Sequence, residues 1–435
     1  MTHSPFAARR QQLADQIGNG VAIVPTAPER VRNRDTHHPY RFDSYFWYLT
    51  GFPEPEAVLV VLGGDRPQCI LFCREKNEER EIWDGYRHGP DGARETFGVD
   101  AAYPISELDQ RLPELIADRS ALWHSLGHDS DWDARITTAL SAVRAQSRAG
   151  KRAPREIRDL RALLDAMRLI KDDSEVEAMR RAAAISSAGH ARAMRHCRPG
   201  MAEYELEAEL THEFRRRGAG GHAYTPIVAG GANACVLHYI ENDRILPESA
   251  LVLIDAGCEL DGYAADITRT FPVSGRFSPA QRDCYEIVLA AQEAAIAAVR
   301  PGASFMAYHD AAVRVLAQGM LDLKLLTGSV DSVIESDTYR RFYMHRTGHW
   351  LGLDVHDAGE YKEDREGGEW VKLAPGMTLT VEPGLYIRPA ADIPQELRGI
   401  GIRIEDDVLV TTSACEVYTD APKTVSDIEE VMRRD

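Results

Sequence analysis

The sequence predicts two mixed domains: an α/β unit over residues 1–165, and an α+β unit over 166–435 built as an internal repeat about a pseudo-twofold axis. Three observations predict this. A chain of 435 residues with 44% apolar content is longer than one core usually supports, and apolar enough to build two. Its first part mixes short apolar runs with helical spacing. In its second part the helix stop "RPG" occurs at 198–200 and again 102 positions on at 300–302, each time between two helical patterns.

In the first unit "GVAIVP" (20–25), "AVLVVLG" (57–63) and "QCILFC" (68–73) read as buried strands, and "SPFAARRQQLADQI" and "DWDARITTALSAVRAQ" as helices. The stretch "NRDTHHPYRFDSYFWYLTGFPEPE" holds too many turn formers to be one regular element. "GKRAPREIRDL" (150–160) reads as a linker or a connecting helix, with the boundary between 150 and 172.

The second unit opens on a helix in which Ser174 and Glu177 form a capping box, and Arg198-Pro199-Gly200 ends it. "AEYELEAELTHEFRRRG" follows as a second helix. The arrangement recurs with Ser278 and Gln281 capping "AQRDCYEIVLAAQEAAIAAV", then "FMAYHDAAVRVLAQG". After each helix pair come strands that carry acidic residues.

Composition excludes several classes of function. The net charge of -17 repels nucleic acid and anionic lipid, and no cluster of Lys and Arg offsets it. No run of 18 apolar residues marks a membrane span, and "MTHSPFAARRQQLADQIGNG" lacks a secretory signal, so the expected setting is cytoplasmic. The seven cysteines are scattered, with no CxxC spacing, and are expected to be buried small hydrophobes rather than disulfides or zinc ligands.

The chemistry concentrates in four stretches. In "LVLIDAGCELDGYAADITRTF", Asp261-Gly262 is a two-residue hairpin signal. Continuing that register puts Asp266 opposite Gly257, on the face that carries Asp255. Asp255 and Asp266 are then diagonal neighbours about 7–8 Å apart, and two converging carboxylates require a cation or a proton between them. "MTLTVEPGLYI" ends an apolar strand on Glu382. "GIGIRIEDDVLV" alternates, with Ile400, Ile402 and Ile404 on one face and Arg403 and Glu405 on the other. An ionised glutamate in so apolar a strand needs a partner. With His349, flanked by Gly348 in "HRTGHWLGLDVHD" (345–357), this is an oxygen-rich set with one nitrogen. Taken singly each residue fits a structural salt bridge; taken together they suit a pair of divalent cations that share a water and polarise a carbonyl.

As an ordered set, "LIDAG...DITRTF", "MHRTGHWLGLDVHD", "TVEPGLYI" and "GIRIEDDVLV" resemble the pita-bread metallopeptidases, and among them the aminopeptidase P group. "FDSYFWYLTGFPEPEAVLVV" is similar to that family's creatinase-like N-terminal module, so the resemblance spans the chain. It implies an α/β creatinase-like domain followed by an α+β pita-bread domain with an internal repeat. It further implies that Asp255 binds one metal, that Asp266 and Glu405 bridge two, and that His349 and Glu382 complete the second. Manganese is the implied metal, though cobalt, zinc and magnesium fit the same spacing.

His238 and His356 match histidines that face substrate and hydrogen-bond the scissile carbonyl or its oxyanion. His345 is assigned to the pocket. Arg403 is expected to pair with Asp255 or Tyr386 and to keep the ligating carboxylates ionised. Asp354 and Asp357 read as turn residues that bind backbone amides. Tyr224 and Trp350 are candidates for an apolar wall against a proline ring. Tyr386, Arg365 and Trp83 are counted with the substrate-binding residues, Trp83 as a cap on the cleft of its own or a neighbouring subunit.

The implied reaction is hydrolysis of peptides with proline at the second position. A hydroxide bridging the metals attacks the carbonyl, Glu382 shuttles the proton, and the free α-amino group lies near the metal that lacks a histidine. The resemblance also implies a homo-oligomer, a dimer or a tetramer. Three rivals share part of this pattern: a Xaa-Pro dipeptidase with the same ligands, a methionine aminopeptidase, which lacks so long an N-terminal domain, and a silent peptide-binding module, which predicts broken ligand positions.

Overall fold

The computed structural model describes residues 5–363 and 367–433. The chain folds as two compact units that divide between Met167 and Arg168.

In the first unit, Val21–Pro25 runs antiparallel to Val58–Leu62, which runs antiparallel to Gln68–Cys73. Ala101–Pro104, Ala121–Trp123 and Glu156–Arg158 extend this sheet by parallel pairing, giving six strands. The central runs are apolar without alternation because both faces are covered. Val58, Val60, Ile70 and Phe72 meet Leu112, Ile116, Ile136 and Leu140 of the helices Leu108–Ile116 and Ser130–Ala145. The helices Pro5–Gln16 and Ser44–Thr50 pack on the same strands as well.

The segment read as a linker is corrected. Glu156–Arg158 is the parallel edge strand beside Ala121–Trp123. All three of its side chains are exposed, so backbone pairing alone makes the strand and no apolar alternation announces it. The aromatic, turn-rich stretch divides into an exposed hairpin, Val31–Asn33 with Thr36–His37, and the helix Ser44–Thr50, started by Asp43 and closed by Gly51 at φ 63°.

The second unit contains the repeat. The helix Asp173–His196 packs with Glu203–Arg216, and Pro279–Ala298 packs with Ala307–Asp322. The second pair is capped by Ser278 and Gln281, as the sequence predicts. The first is capped two residues earlier than predicted, by Asp172 with Glu175. "DDSEVE" contains both frames, and the one adopted buries Glu175, which also accepts from the Tyr263 hydroxyl at 3.0 Å.

Each half then builds one antiparallel hairpin that passes from one sheet into another without losing register. In the first, Asp255 pairs with Thr268 and Leu260 with Tyr263, around the predicted Asp261-Gly262 loop. The break falls at Gly257, where any Cβ would run into the Ala265 carbonyl. In the second, Val381 pairs with Asp406 and Gly384 with Arg403, so Glu382 and Glu405 face each other at the break. "GIGIRIEDDVLV", read as one strand, is therefore two, Ile400–Arg403 and Asp406–Val410. The buried Arg269 braces this break, donating to the Glu405 carbonyl at 2.6 Å and to Asp406 Oδ1 at 2.6 Å. Among the described residues no helix is long and apolar enough to cross a membrane. All seven cysteines are free, with Cys69 and Cys415 half-buried and the rest buried.

Candidate metal centre

The two hairpin breaks and the 345–357 loop open onto one cavity of 530 Å³ in the second unit. Asp255, Asp266, His349, Glu382 and Glu405 all line it. Ligand atoms of Asp266, His349 and Glu405 lie within 4.8 Å of one another. His349 Nε2 stands 3.4 Å from Asp266 Oδ2 and 4.0 Å from Glu382 Oε1.

Backbone pairing aims these groups. Glu382 N donates to the Thr347 carbonyl at 2.8 Å and Thr380 N to that of His349 at 3.0 Å, which lays the histidine loop along the strand Thr378–Val381. Gly348 permits the approach, since a Cβ there would collide with the Thr380 carbonyl. His349 Nδ1 lies 2.9 Å from the Trp350 carbonyl. As a donor to that oxygen it turns Nε2 toward the carboxylates, the tautomer a metal ligand needs.

The electrostatics leave negative charge uncompensated. Arg403 Nη2 donates to Asp255 Oδ2 at 2.5 Å, which leaves Asp266, Glu382 and Glu405 without an arginine partner among the described residues. Burial pushes Glu382 up to about 7, Glu405 well above the usual carboxylate range, and Asp255 upward despite Arg403. Burial would also raise Asp266, but its hydrogen bond and ion pair with His349 hold it below the usual range. Burial opposes the His349 charge in turn, yet Asp266 raises this imidazole to about 9. Without a metal, a proton on His349 supplies the missing positive charge. The donor set therefore fits divalent cations: hard oxygens, one imidazole and a charge deficit that a cation removes.

Stability of the metal-free protein follows from Glu382. Its carboxyl titrates near 7 in the fold against an ordinary 4.5. Below pH 4.5 it is protonated in both states and its contribution is fully present; as pH rises through 7 the unfolded chain has ionised first and that contribution is lost, on the order of 3 kcal/mol. Chemical denaturation of metal-stripped protein between pH 4.5 and 8 is expected to show this decline, and Glu382→Gln to make it shallower, with Glu405 still contributing. Parallel profiles for the two proteins would contradict the reading.

The hydrogen bonds revise several expected roles. Tyr224 lines the cavity, but its hydroxyl contacts Asp255 Oδ1 at 2.7 Å and Asp266 Oδ1 at 2.5 Å, so it braces carboxylates as well as forming wall. Trp350 is no wall for substrate: it is wholly buried, stacked on Tyr361 and packed against Phe305. Tyr386 is also wholly buried and outside the cavity lining; its hydroxyl joins His345 Nε2 at 2.8 Å to Arg403 Nη1 at 3.1 Å. Arg403 thus meets both of its expected partners, Asp255 and Tyr386.

Asp357 does accept the Asp354 amide, at 3.2 Å, but its principal partners are Arg168 at 2.5 Å and Lys171 at 2.9 Å. Those charges lie more than 180 positions upstream, beyond the reach of a turn motif. Trp83 is 80% exposed on the short helix Glu78–Asp84 of the first unit. Arg365 lies outside the described residues.

His238 and His356 are exposed and line the cavity, and the His356 ring stands edge-on to His349 at 4.2 Å. Burial lowers His356, keeping it a neutral donor, and lowers His345 to about 3. Sequence reasoning passes over Thr268 and Asp407. Thr268 donates to Glu405 Oε2 at 2.6 Å and accepts from Arg403 Nε at 3.2 Å; Asp407 Oδ2 accepts the Asp266 amide at 3.1 Å. Strand alternation from Asp266 could have found Thr268, two positions on. Leu237, Ile240 and Val355 also line the cavity and give it apolar surface.

Comparison with known proteins places this geometry. Residues 177–412 match metallopeptidase family M24, and residues 6–123 match the aminopeptidase P N-terminal domain. The chain is 45% identical over 436 residues to the Xaa-Pro aminopeptidase of Escherichia coli (strain K12), covering 99% of this chain and 98% of that protein. The structure of Pseudomonas aeruginosa aminopeptidase PepP superposes with a TM-score of 0.96 at 52% identity, covering 98% and 97% of the two chains. Zinc-substituted E. coli aminopeptidase P in complex with product superposes with a TM-score of 0.96 at 44% identity over the whole of both chains.

Proposed function

The chain belongs to metallopeptidase family M24 and is an enzyme, and we propose that it is a Xaa-Pro aminopeptidase, releasing the residue that precedes an N-terminal proline bond. The observation that carries this reading is the convergence of Asp266, His349 and Glu405 in a cavity that also has apolar surface. In this reading Asp255, Asp266, His349, Glu382 and Glu405 would hold two divalent cations, manganese by family resemblance. When bound, they supply a water that ionises near neutral pH and a Lewis acid for the carbonyl.

The chain's own residues do the rest. By the same resemblance the free α-amino group of the substrate lies at the Asp255 end of the centre, near the metal that lacks a histidine. His238 and His356, exposed toward the cavity, donate N–H to the carbonyl oxygen as it gains charge. The Glu382 carboxylate takes a proton from the attacking water and returns it to the departing proline nitrogen. Proline's tertiary amide offers no N–H, so the site needs no acceptor for one and instead presents Leu237, Ile240 and Val355 to the ring. By the same resemblance the enzyme works in the cytoplasm as a homo-oligomer, a dimer or a tetramer.

The test is hydrolysis by metal-stripped protein before and after manganese is added. We expect a Xaa-Pro-Yaa tripeptide to be cleaved only after addition, and a Xaa-Pro dipeptide poorly. Preference for the dipeptide would make the protein a dipeptidase, and cleavage of neither would refute a peptidase of this specificity.

A further inference from the structure

Among the residues that line the cavity, two are arginines. Arg403 is buried and bound to Asp255. Arg346 is exposed and has no carboxylate within ion-pairing distance among the described residues. Its guanidinium lies over the Trp370 ring, 4.9 Å from the centroid, and Lys362 Nζ stands 5.0 Å from the same ring. Trp370 is itself backed by Phe305 and held by the Lys362–Trp370 bridge. A guanidinium laid on an indole is fixed in orientation while its N–H edge remains open, the form that binds a planar carboxylate through two hydrogen bonds. A cation exposed in the cavity lining, with no carboxylate partner among the described residues, is therefore placed to receive an anion.

We propose that Arg346 determines specificity by binding a carboxylate on the leaving part of the peptide, beyond the proline. This rests on the Xaa-Pro aminopeptidase reading. In that reading the α-amino end of the substrate occupies the metal centre, so a carboxylate on the same molecule meets Arg346 from the other side of the scissile bond. Two sources carry that group: the C-terminal carboxylate of a tripeptide, or an acidic side chain after the proline in a longer peptide.

The test compares Ala-Pro-Leu, its C-terminal amide and Ala-Pro-Asp amide, with manganese-loaded protein. We expect the wild type to favour the acid over the amide by about tenfold in kcat/KM, expressed in KM, the worth of one partly exposed charge-assisted hydrogen bond. In Arg346→Gln that ratio falls toward one, and Arg346→Lys restores part of it. Recovery of the preference by Ala-Pro-Asp amide identifies a side-chain carboxylate as sufficient; preference for the acid alone identifies the C-terminus. Equal use of acid and amide by the wild type, or a ratio that survives Arg346→Gln, overturns the proposal. Calorimetric binding of Pro-Leu and Pro-Leu amide separates the two readings. If no peptide is cleaved but the acid binds tighter in an Arg346-dependent way, the peptidase reading fails and the carboxylate site stands; equal binding removes the site.

Discussion

Glu405→Gln is expected to lower kcat/KM by about a thousandfold, ~4 kcal/mol of transition-state stabilisation, and to reduce the metal held by the protein. The same substitution is expected to make the metal-free protein more stable at pH 8. Both effects have one cause. Glu405 is 2% exposed and lies among Asp266, Glu382 and Asp255, so burial and then repulsion raise its pKa far above normal. Its charge is costly until a cation arrives. Below its unfolded pKa the carboxyl is protonated in both states; above it, ionisation favours the unfolded chain, so at pH 8 a neutral glutamine should raise the stability of the metal-free protein. Glutamine keeps an oxygen that can accept from the Thr268 hydroxyl, so the shape of the site is retained. Metal titration, steady-state kinetics and denaturation with and without chelator measure the three effects together. Normal metal content with wild-type activity, or a metal-free variant less stable than wild type, would show that Glu405 serves the fold rather than a cation.

Asp357→Ala is expected to cost about 3–5 kcal/mol of stability in the second unit, the typical penalty for removing one partner from a buried ion cluster. The side chains of Asp357, Arg168 and Lys171 are each 1% exposed. Alanine leaves two cations facing a cavity in the interior. Asp357 also bonds the Trp350 carbonyl through its amide at 2.9 Å and closes the loop that carries His349 and His356. Activity should therefore fall through kcat as the two histidines lose their positions. Replacing Arg168 and Lys171 by methionine together with Asp357→Leu should return much of the stability, because an apolar cluster of similar volume carries no desolvation penalty. A single variant within about 1 kcal/mol of wild type by chemical denaturation would show that the cluster is solvated or the loop pinned elsewhere.

The candidate site was legible where chemistry follows a local rule. Asp261-Gly262 predicts a two-residue loop, and the pairs Leu260 with Tyr263 and Asp255 with Thr268 continue that register across both sheets. Side-chain alternation therefore brings Asp255 and Asp266 to one face before any long-range contact is known. Glu382 before Pro383-Gly384 marks a strand end for the same kind of reason, because proline cannot continue the ladder. Where two frames satisfy one rule, as in "DDSEVE", burial of Glu175 chose between them.

What failed was legible in neither spacing nor composition. Trp350 sits between His349 and Leu351, yet its side chain turns away to Phe305 and Tyr361. The position of an aromatic in sequence does not say on which side of a loop it packs. Glu156–Arg158 is a strand by its neighbour's hydrogen bonds alone, and Asp357 owes its state to cations near the start of the unit.

By itself the sequence determined the two-part organisation, the doubled helix pairs, the hairpin register and the residue types of the acidic centre, since each follows from periodicity, capping or turn chemistry over a few tens of residues. Only the tertiary structure decided that Glu382 and Glu405 meet across a broken ladder, that Tyr386 and Trp350 are interior, and that Arg346 has no counter-ion among the described residues. Those outcomes depend on which segments far apart in the chain come to share a small, poorly solvated volume, where burial and the count of opposing charges set each group's state.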